Sequence, residues 1–377
     1  MSRSDVRRAL LCAHLCVLPA AHAAAQTDDS AFGGWRWAPE GPGSRPAGMG
    51  GAYVAVADSV QAMVANPAGL TQIPATEVSL SSGPLWAGAA RNRSRKLRLG
   101  AYLTRTDVRQ VEHEDGLARI ESSVREAGLG IGAGPFGRLR LGATVSWSSL
   151  RLRGESSRDE PSGGEASRTT LEGDDGHVRL TTGLLIDLAR RKGSVVPRLR
   201  FGLAYQPGFD WSVARTTRTG SGPASSRSIG VRRPSTVTAG LAWSAPGRWS
   251  FMAEGDLIRY REVFESLRGN IGEGAAGFGL PDTVEPRLGM EFATPLSCGC
   301  GVVKLRAGIH YRSPGTLRYA GGDPLRARDF PPGRWRSVAA LGGSFFAQYF
   351  RNALRLDVDA RDVFEGPELS FGLVWRF

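Results

Sequence analysis

Cysteine is scarce. The chain has four in 377 residues, two of them (Cys12, Cys16) within the first 25 and the other two, Cys298 and Cys300, one residue apart in "SCGCG". A disulfide spanning a single residue is strained, and one such pair staples nothing in a chain of this length. Zinc-type ligand spacing is missing. After the amino terminus no run reaches the roughly 18 apolar residues that a membrane-crossing helix needs. Catalytic signatures are equally thin. There is no serine nucleophile elbow, and only His113, His177 and His310 lie beyond residue 25. Of these, only His113, in "EHEDG", sits among acids, where a solvated turn explains it better than a His and Asp pair for hydrolysis. "GMGG" followed by Asp58 faintly resembles a dinucleotide fingerprint, but no strand precedes it and the acid comes ten residues after Gly48, where about 20 are needed. No catalytic residue, metal ligand or cofactor is therefore assigned.

What is present begins with "MSRSDVRRALLCAHLCVLPAAHAAAQ": a basic start, an apolar run to about Pro19, then small residues at Ala21, Ala23 and Ala25. This pattern reads as a secretory signal peptide, residues 1–25, cut after Ala23 or Ala25. Its removal takes away three Arg and one Asp, lowering the formal net charge from +12 to +10. So basic a chain would ordinarily suggest nucleic acid. Export argues against that partner and leaves the arginines to be explained.

Glycine is abundant, 50 of 377 residues, nearly twice the usual ~7%. After Pro74 apolar and polar residues alternate. In "RLRLGATVSW" Leu139, Leu141, Ala143, Val145 and Trp147 share one face, and Arg138, Arg140, Gly142, Thr144 and Ser146 the other. That is a strand with one apolar side. The phrase returns as "KLRLGAYL", "RLRFGLAY", "PRLGMEFA", "KLRAGIHY" and "ALRLDVDA", in blocks of the length a tilted strand needs to cross a bilayer. Short connections alternate with long polar ones at about 154–176, 214–230, 261–282 and 316–333, as in outer-membrane barrels with the short turns on the periplasmic rim.

The reading is therefore an all-β transmembrane antiparallel barrel of about fourteen strands over residues 76–377, including 138–152, 177–190, 196–212 and 231–243. The first two strands, 76–82 and 84–91, are short and leave twelve as the alternative count. The chain ends "ELSFGLVWRF", with Phe371, Trp375 and Phe377 on one face. Such a strand ending on an aromatic resembles the signal read by the barrel assembly machinery, which implies residence in the outer membrane of a Gram-negative cell, among its lipids.

On the second face of the strands lie Arg98, Arg140, Arg179, Arg200, Arg287, Arg306 and Arg355. The expectation is a wet lumen in which they pair with Glu126, Asp187, Glu254, Asp256, Glu285, Glu291, Asp357 and Asp359; an anion-selective site is the alternative. Gly100, Gly142, Gly202, Gly289, Gly308 and Gly372 share that face. Glycine inside a strand marks bending or the close approach of another backbone, and the sequence leaves both readings open.

Residues 44–70, "SRPAGMGGAYVAVADSVQAMVANPAGL", carry a glycine cluster (Gly48, Gly50, Gly51), small residues and an Asn66-Pro67-Ala68 turn. Read alone, they could form a first strand. Together with the alternating strands and the aromatic end, the segment resembles the amino-terminal signature of the FadL/TodX outer-membrane transporters of fatty acids and other hydrophobic compounds, whose relatives include PorV-type barrels. The resemblance implies that residues 26–75 fold into the lumen as a hatch, with Gly48, Gly50, Gly51, Asp58, Asn66, Pro67 and Ala68 shaping or gating it. It further implies passive uptake of a small hydrophobic ligand, leaving toward the periplasm or sideways into the membrane. A non-enzymatic barrel that binds a partner protein is the alternative, and an open porin a third. The outer loops show no clear apolar cluster for a lipid tail; residues 154–176 hold seven acids and two arginines.

Overall fold

The structure is a computed structural model, and it describes residues 43–94, 96–112, 118–158, 167–190, 197–219, 221–245, 248–271, 276–297, 301–349, 352–363 and 367–377. The expected signal peptide, the first part of the expected hatch, His113 and the Cys298/Cys300 turn lie outside the described residues.

Among the described residues eighteen strands follow a short helical segment: β1 (Glu77–Ser81), β2 (Leu85–Ser94), β3 (Leu97–Glu112), β4 (Ala118–Phe136), β5 (Leu139–Arg158), β6 (Ser167–Arg190), β7 (Pro197–Gln206), β8 (Phe209–Thr219), β9 (Ser225–Arg233), β10 (Thr236–Ser244), β11 (Trp249–Ile258), β12 (Phe278–Gly279), β13 (Thr283–Pro295), β14 (Gly301–Arg312), β15 (Arg318–Tyr319), β16 (Arg336–Tyr349), β17 (Asn352–Arg361) and β18 (Glu368–Arg376). Fourteen of them close into an antiparallel barrel, in the order β1 to β7, β10, β11, β13, β14, β16, β17 and β18. Strands β8 and β9 extend the wall outward above β6, while β12 and β15 pair apart from it.

Closure falls between the first and last strands, where Val78 faces Trp375 and Leu80 faces Leu373. Arg376 donates to Glu77 at 2.7 Å beside this seam. Closure removes the open edges that would leave backbone groups unpaired in lipid. The alternation seen in the sequence sorts the two faces. Leu103, Leu129, Leu141, Val145, Trp147, Leu180, Leu288, Leu305, Leu341 and Phe371 are exposed on the outside, and Arg140, Arg179, Asp187, Glu291, Arg306 and Asp357 are buried inside. No helix among the described residues is long and apolar enough to cross a membrane.

Several connections differ from expectation. Residues 154–176 and 214–230, read as long polar loops, are largely strand, because β5, β6, β8 and β9 continue past the apolar belt as a polar-faced extension. There the ladder holds without lipid, and ion pairs such as Arg151 with Asp174 and Arg168 with Glu155 run across it. The segment 261–282 contains most of a helix, α3 (Tyr260–Ile271), and 316–333 contains α4 (Pro324–Asp329). The stretches 196–212 and 231–243, each read as a single strand, are broken at Pro207-Gly208 and Pro234-Ser235. Proline has no N–H to give to a ladder.

One consequence is an interruption of the wall. Strand β6 pairs with β7 from Thr182 to Arg190 and with β8 from Ser167 to Glu172; between these stretches, among the described residues, residues 173–181 pair with β5 alone. Contacts that involve side chains bridge this seam in place of the ladder. His177 stacks on Phe209 with ring centroids 4.7 Å apart, and the Ser212 N–H donates to Asp175 at 2.6 Å.

Deleting residues 375–377 removes the Arg376 link to Glu77 and the paired end of β18. The folded, heat-modifiable form in outer-membrane preparations is expected to fall sharply; an unchanged folded fraction would show that closure does not depend on this end.

Candidate functional site

Residues 43–76, the described chain before β1, lie against the lumen wall. They form α1 (Ser44–Gly48), α2 (Ala62–Ala65) and a 3-10 helix (Pro67–Gln72), and Tyr53, Val54, Ala57, Ala62, Met63, Ala68 and Leu70 are buried. Gly50 (φ 61°) and Gly51 (φ 84°) turn the chain in the left-handed region, which β-carbon-bearing residues seldom adopt.

The lumen-facing glycines are where this plug touches the barrel. A Cβ on Gly142 would overlap the backbone of Pro67 and Ala68, and one on Gly308 would overlap Met49 and Gly50. Gly202 faces Val54, Gly289 faces Met49, Gly100 faces Met63 and Gly372 faces Ser44. Of the two readings the sequence left open, close approach of another backbone holds at Gly142, Gly202, Gly289 and Gly308, while at Gly100 and Gly372 a plug side chain takes the space. The plug's own Gly48 lies against Asp359 and Gly342, and Gly51 against Arg287.

Polar bonds fix the segment in register. Asn66 donates from Nδ2 to the carbonyls of Val54 (2.8 Å) and Leu184 (3.0 Å), and its Oδ1 accepts the Ala68 N–H at 3.2 Å. It thereby caps the 3-10 helix, whose first residue is Pro67, where the missing N–H costs nothing. Glu254 accepts the N–H groups of Tyr53 (2.7 Å) and Val54 (2.6 Å), and Glu77 accepts that of Val60 (2.8 Å). Arg45 of α1 bonds Glu291 at 3.2 Å and pairs with Asp58. Burial alone would raise the Asp58 carboxyl, but the Arg45 guanidinium holds it down at about 2, so this pair is charged at neutral pH.

The other arginines named from the sequence sit in the same lower lumen. Arg140 and Arg200 share Asp187 at 2.8 and 2.9 Å. Arg306 reaches Glu291 (2.9 Å), Asp357 (3.1 Å) and Asp359 (3.3 Å), and Arg355 reaches Asp357 at 2.9 Å. Arg98 instead donates to the Ile73 carbonyl at 3.0 Å, tying the end of the plug to β3. Phe371, Trp375 and Phe377 stand about half exposed on the outer surface, apart from this site.

Above the plug is a chamber of about 150 Å³. Its floor includes Ala47, Gly51, Val54 and Val64, and its walls carry Glu126, Arg233, Glu254, Asp256, Glu285, Arg287 and His310. These charges are matched: Arg179 and Arg233 each lie 2.9 Å from Glu126, Arg287 binds Glu254 and Asp256, and His310 is 2.8 Å from Glu285. The chamber touches Val124 and Ile258 at its top.

Those two residues open a third layer that the sequence reading missed. Val124, Leu150, Leu152, Leu171, Phe209, Trp211, Val213, Ile229, Val231, Ile258, Tyr260, Val263, Leu280, Leu317 and Phe330 form one buried apolar cluster, a vault at the outer end of the lumen. It corrects the expectation that the outer segments hold no apolar cluster. The signal was present as period-two alternation in "SSLRLRG", "FDWSVAR" and "SIGVRR", but apolar groups brought together from such distant strands do not show as a run. Among the described residues no group of His, Cys, Asp and Glu is placed to hold a metal.

A fourteen-stranded barrel with a plug inserted from its amino end defines the architecture, and solved structures share it. The chain is similar to the toluene transporter TodX of Pseudomonas putida (14% identity, TM-score 0.57, 90% of this chain and 98% of that one). It is likewise similar to the toluene transporter TbuX of Ralstonia pickettii (12%, 0.60, 90% and 99%) and to a FadL homologue of Pseudomonas aeruginosa (10%, 0.62, 90% and 98%). At these identities the likeness is one of fold. No family model and no curated protein matches the sequence.

Asn66→Ala removes bonds that are buried, each worth about 1–3 kcal/mol when one partner is left unpaired. Gly142→Val drives a side chain into Pro67 and Ala68. Both variants are expected to keep the barrel folded and to raise conductance across planar bilayers above that of wild type; unchanged conductance in both would show that these contacts do not seal the lumen.

Proposed function

We propose that this chain is an outer-membrane channel for passive uptake of small hydrophobic molecules, residues 26–75 acting as the hatch that keeps the lumen shut. The observation that carries this reading is the vault. A soluble lumen has no use for fifteen apolar side chains beneath its outer loops, whereas a solute leaving water gains free energy there in proportion to the apolar surface it buries. The fold neighbours support the same class of cargo, since TodX and TbuX are toluene transporters.

The layering also suggests a route. Below the vault the chamber is lined with paired charges, and stripping water from them for a hydrocarbon is costly. Beside the vault runs the seam between β6 and β7/β8, where Phe209, Trp211 and Val213 stand on the incomplete side of the ladder. A hydrocarbon in the vault thus has an easier path sideways into lipid than down to the plug. Diffusion down a concentration gradient drives the process.

The test is uptake of radiolabelled toluene by cells that differ only in this protein. Producing cells are expected to take it up several-fold faster, and Val213→Asp, which puts a carboxylate in the vault, to lose most of that gain at equal folded yield. Uptake equal with and without the protein would overturn the channel reading.

A further inference from the structure

Most of the lumen arginines are tied to shared carboxylates, but a second set of cations is not. It lies at the short-turn end of the barrel. The segments around the six turns there, residues 91–96, 134–138, 188–198, 245–248, 296–300 and 350–352, hold eleven Lys or Arg and no Asp or Glu. We infer that this rim is a docking surface for anionic phospholipid, holding headgroup phosphates of the leaflet that faces the periplasm. The inference rests on the channel reading for its orientation, short turns toward the periplasm, but it concerns what surrounds the barrel rather than what passes through it.

Charge is the first argument. The described side chains among these cations, Arg91, Arg93, Lys96, Arg138, Arg198 and Arg248, are all exposed. Arg138 donates to the Leu188 carbonyl at 3.2 Å and Arg248 to the Thr294 hydroxyl at 2.7 Å; among the described residues none of the six is paired with a carboxylate. Outside these segments the chain beyond residue 25 has as many acids as bases to within one. The opposite end of the barrel differs. Residues 154–176 hold seven acids and two arginines, and exposed arginines there find acids across the ladder, Arg151 with Asp174 and Arg153 with Glu172.

Depth is the second argument. Arg91 lies directly across from Leu99, which is exposed on the outer face. Arg248 precedes Trp249, and the exposed rings of Trp243 and Trp249 both stack on Phe251, with centroids 5.6 and 6.1 Å apart. Phe136, two residues before Arg138, is exposed as well. Aromatic rings on the outside of a barrel mark the level of the headgroups. The cations therefore stand where the apolar layer ends, at the depth of lipid phosphates, and basic groups so placed are drawn to an anionic leaflet.

Crowding is the third. Arg91, Arg93 and Lys96 share one turn, and like charges so close repel one another. A phosphate relieves that repulsion, and guanidinium groups bind it with paired hydrogen bonds. A soluble polyanion would approach from below; Arg91, on the lipid-facing side of β2, favours a lipid.

Native mass spectrometry of the purified full-length protein in mild detergent tests this, with dioleoyl phosphatidylglycerol and dioleoyl phosphatidylcholine supplied in equal amounts. The anionic lipid is expected to be retained about tenfold more than the zwitterionic one. Raising ammonium acetate from about 0.1 to about 0.5 M is expected to remove most of that preference. Arg91→Gln, Arg93→Gln and Lys96→Gln together are expected to reduce it several-fold in a barrel that stays heat-modifiable. Arg105→Gln with Arg125→Gln, exposed toward the outer ends of β3 and β4, is expected to leave it unchanged. Equal retention of the two lipids, a preference indifferent to salt, one that survives the triple substitution, or one lost equally with the outer pair would overturn the surface. So would binding to purified peptidoglycan that depends on the triple site while the two lipids are retained alike. Toluene uptake without a lipid preference sinks this inference alone. A lipid preference without toluene uptake sinks the channel reading instead.

Discussion

Everything inside this barrel depends on how closely one backbone can approach another. A fourteen-stranded barrel encloses more space than its own inward side chains fill, so something else must occupy the lumen if it is to be closed. The plug does so only because the wall has no Cβ where the plug backbone arrives. At Gly142 the turn at Pro67 and Ala68 lies where a side chain would be, and at Gly308 the Met49-Gly50 peptide does the same. Glycine in a strand sacrifices packing and backbone entropy. Here the loss is offset by burial of Met63, Leu70 and Ile73 against Trp86 and Tyr102, the last two stacked at 5.0 Å.

The same intimacy accounts for the charge of the chain. Basic side chains on the inner face would repel one another across a narrow lumen were they not matched, and each of the inner clusters is built around shared carboxylates: Asp187 between Arg140 and Arg200, Glu126 between Arg179 and Arg233, Glu291 among Arg45, Lys304 and Arg306. Such pairs add little to net stability once desolvation is counted, but removing one partner leaves a buried charge alone. They therefore specify register more than they stabilise. Arg45 and Asp58 extend the wall's own network into the plug, so that the segment docks in one position.

Much of this was legible in the sequence because its signals are local. Period-two alternation marks each membrane strand, and the inward arginines and glycines fall on one parity of that alternation. The position of the plug was half legible: Gly142 and Gly308 fit either curvature or contact, and only the three-dimensional arrangement decides between them. What escaped is what depends on distant elements meeting. Leu150, Trp211, Ile229, Val263 and Phe330 share the vault across some 180 residues of chain, and in each stretch they alternate with polar neighbours that make the segment look like loop. Pro207 and Pro234 were visible, yet a proline in a strand-like run does not say whether the strand ends, bulges or resumes one step inward. The structure shows that the outward extension resumes as β8 and β9 while β6, paired over residues 173–181 with β5 alone, runs past the break.

The resulting lumen is stratified, and the order of its layers carries a physical consequence. An apolar solute descends in free energy on entering the vault and would climb again on entering the charged chamber, so the vault is a minimum along the barrel axis. A minimum with no other outlet would retain its solute and return it to the outside. On the proposed uptake reading, the interruption that begins beside Phe209 and Trp211 and reaches the apolar belt at Val178 and Leu180 is the outlet toward hydrocarbon, a phase as apolar as the vault itself. Net inward movement then needs no motion of the plug for solutes of this kind.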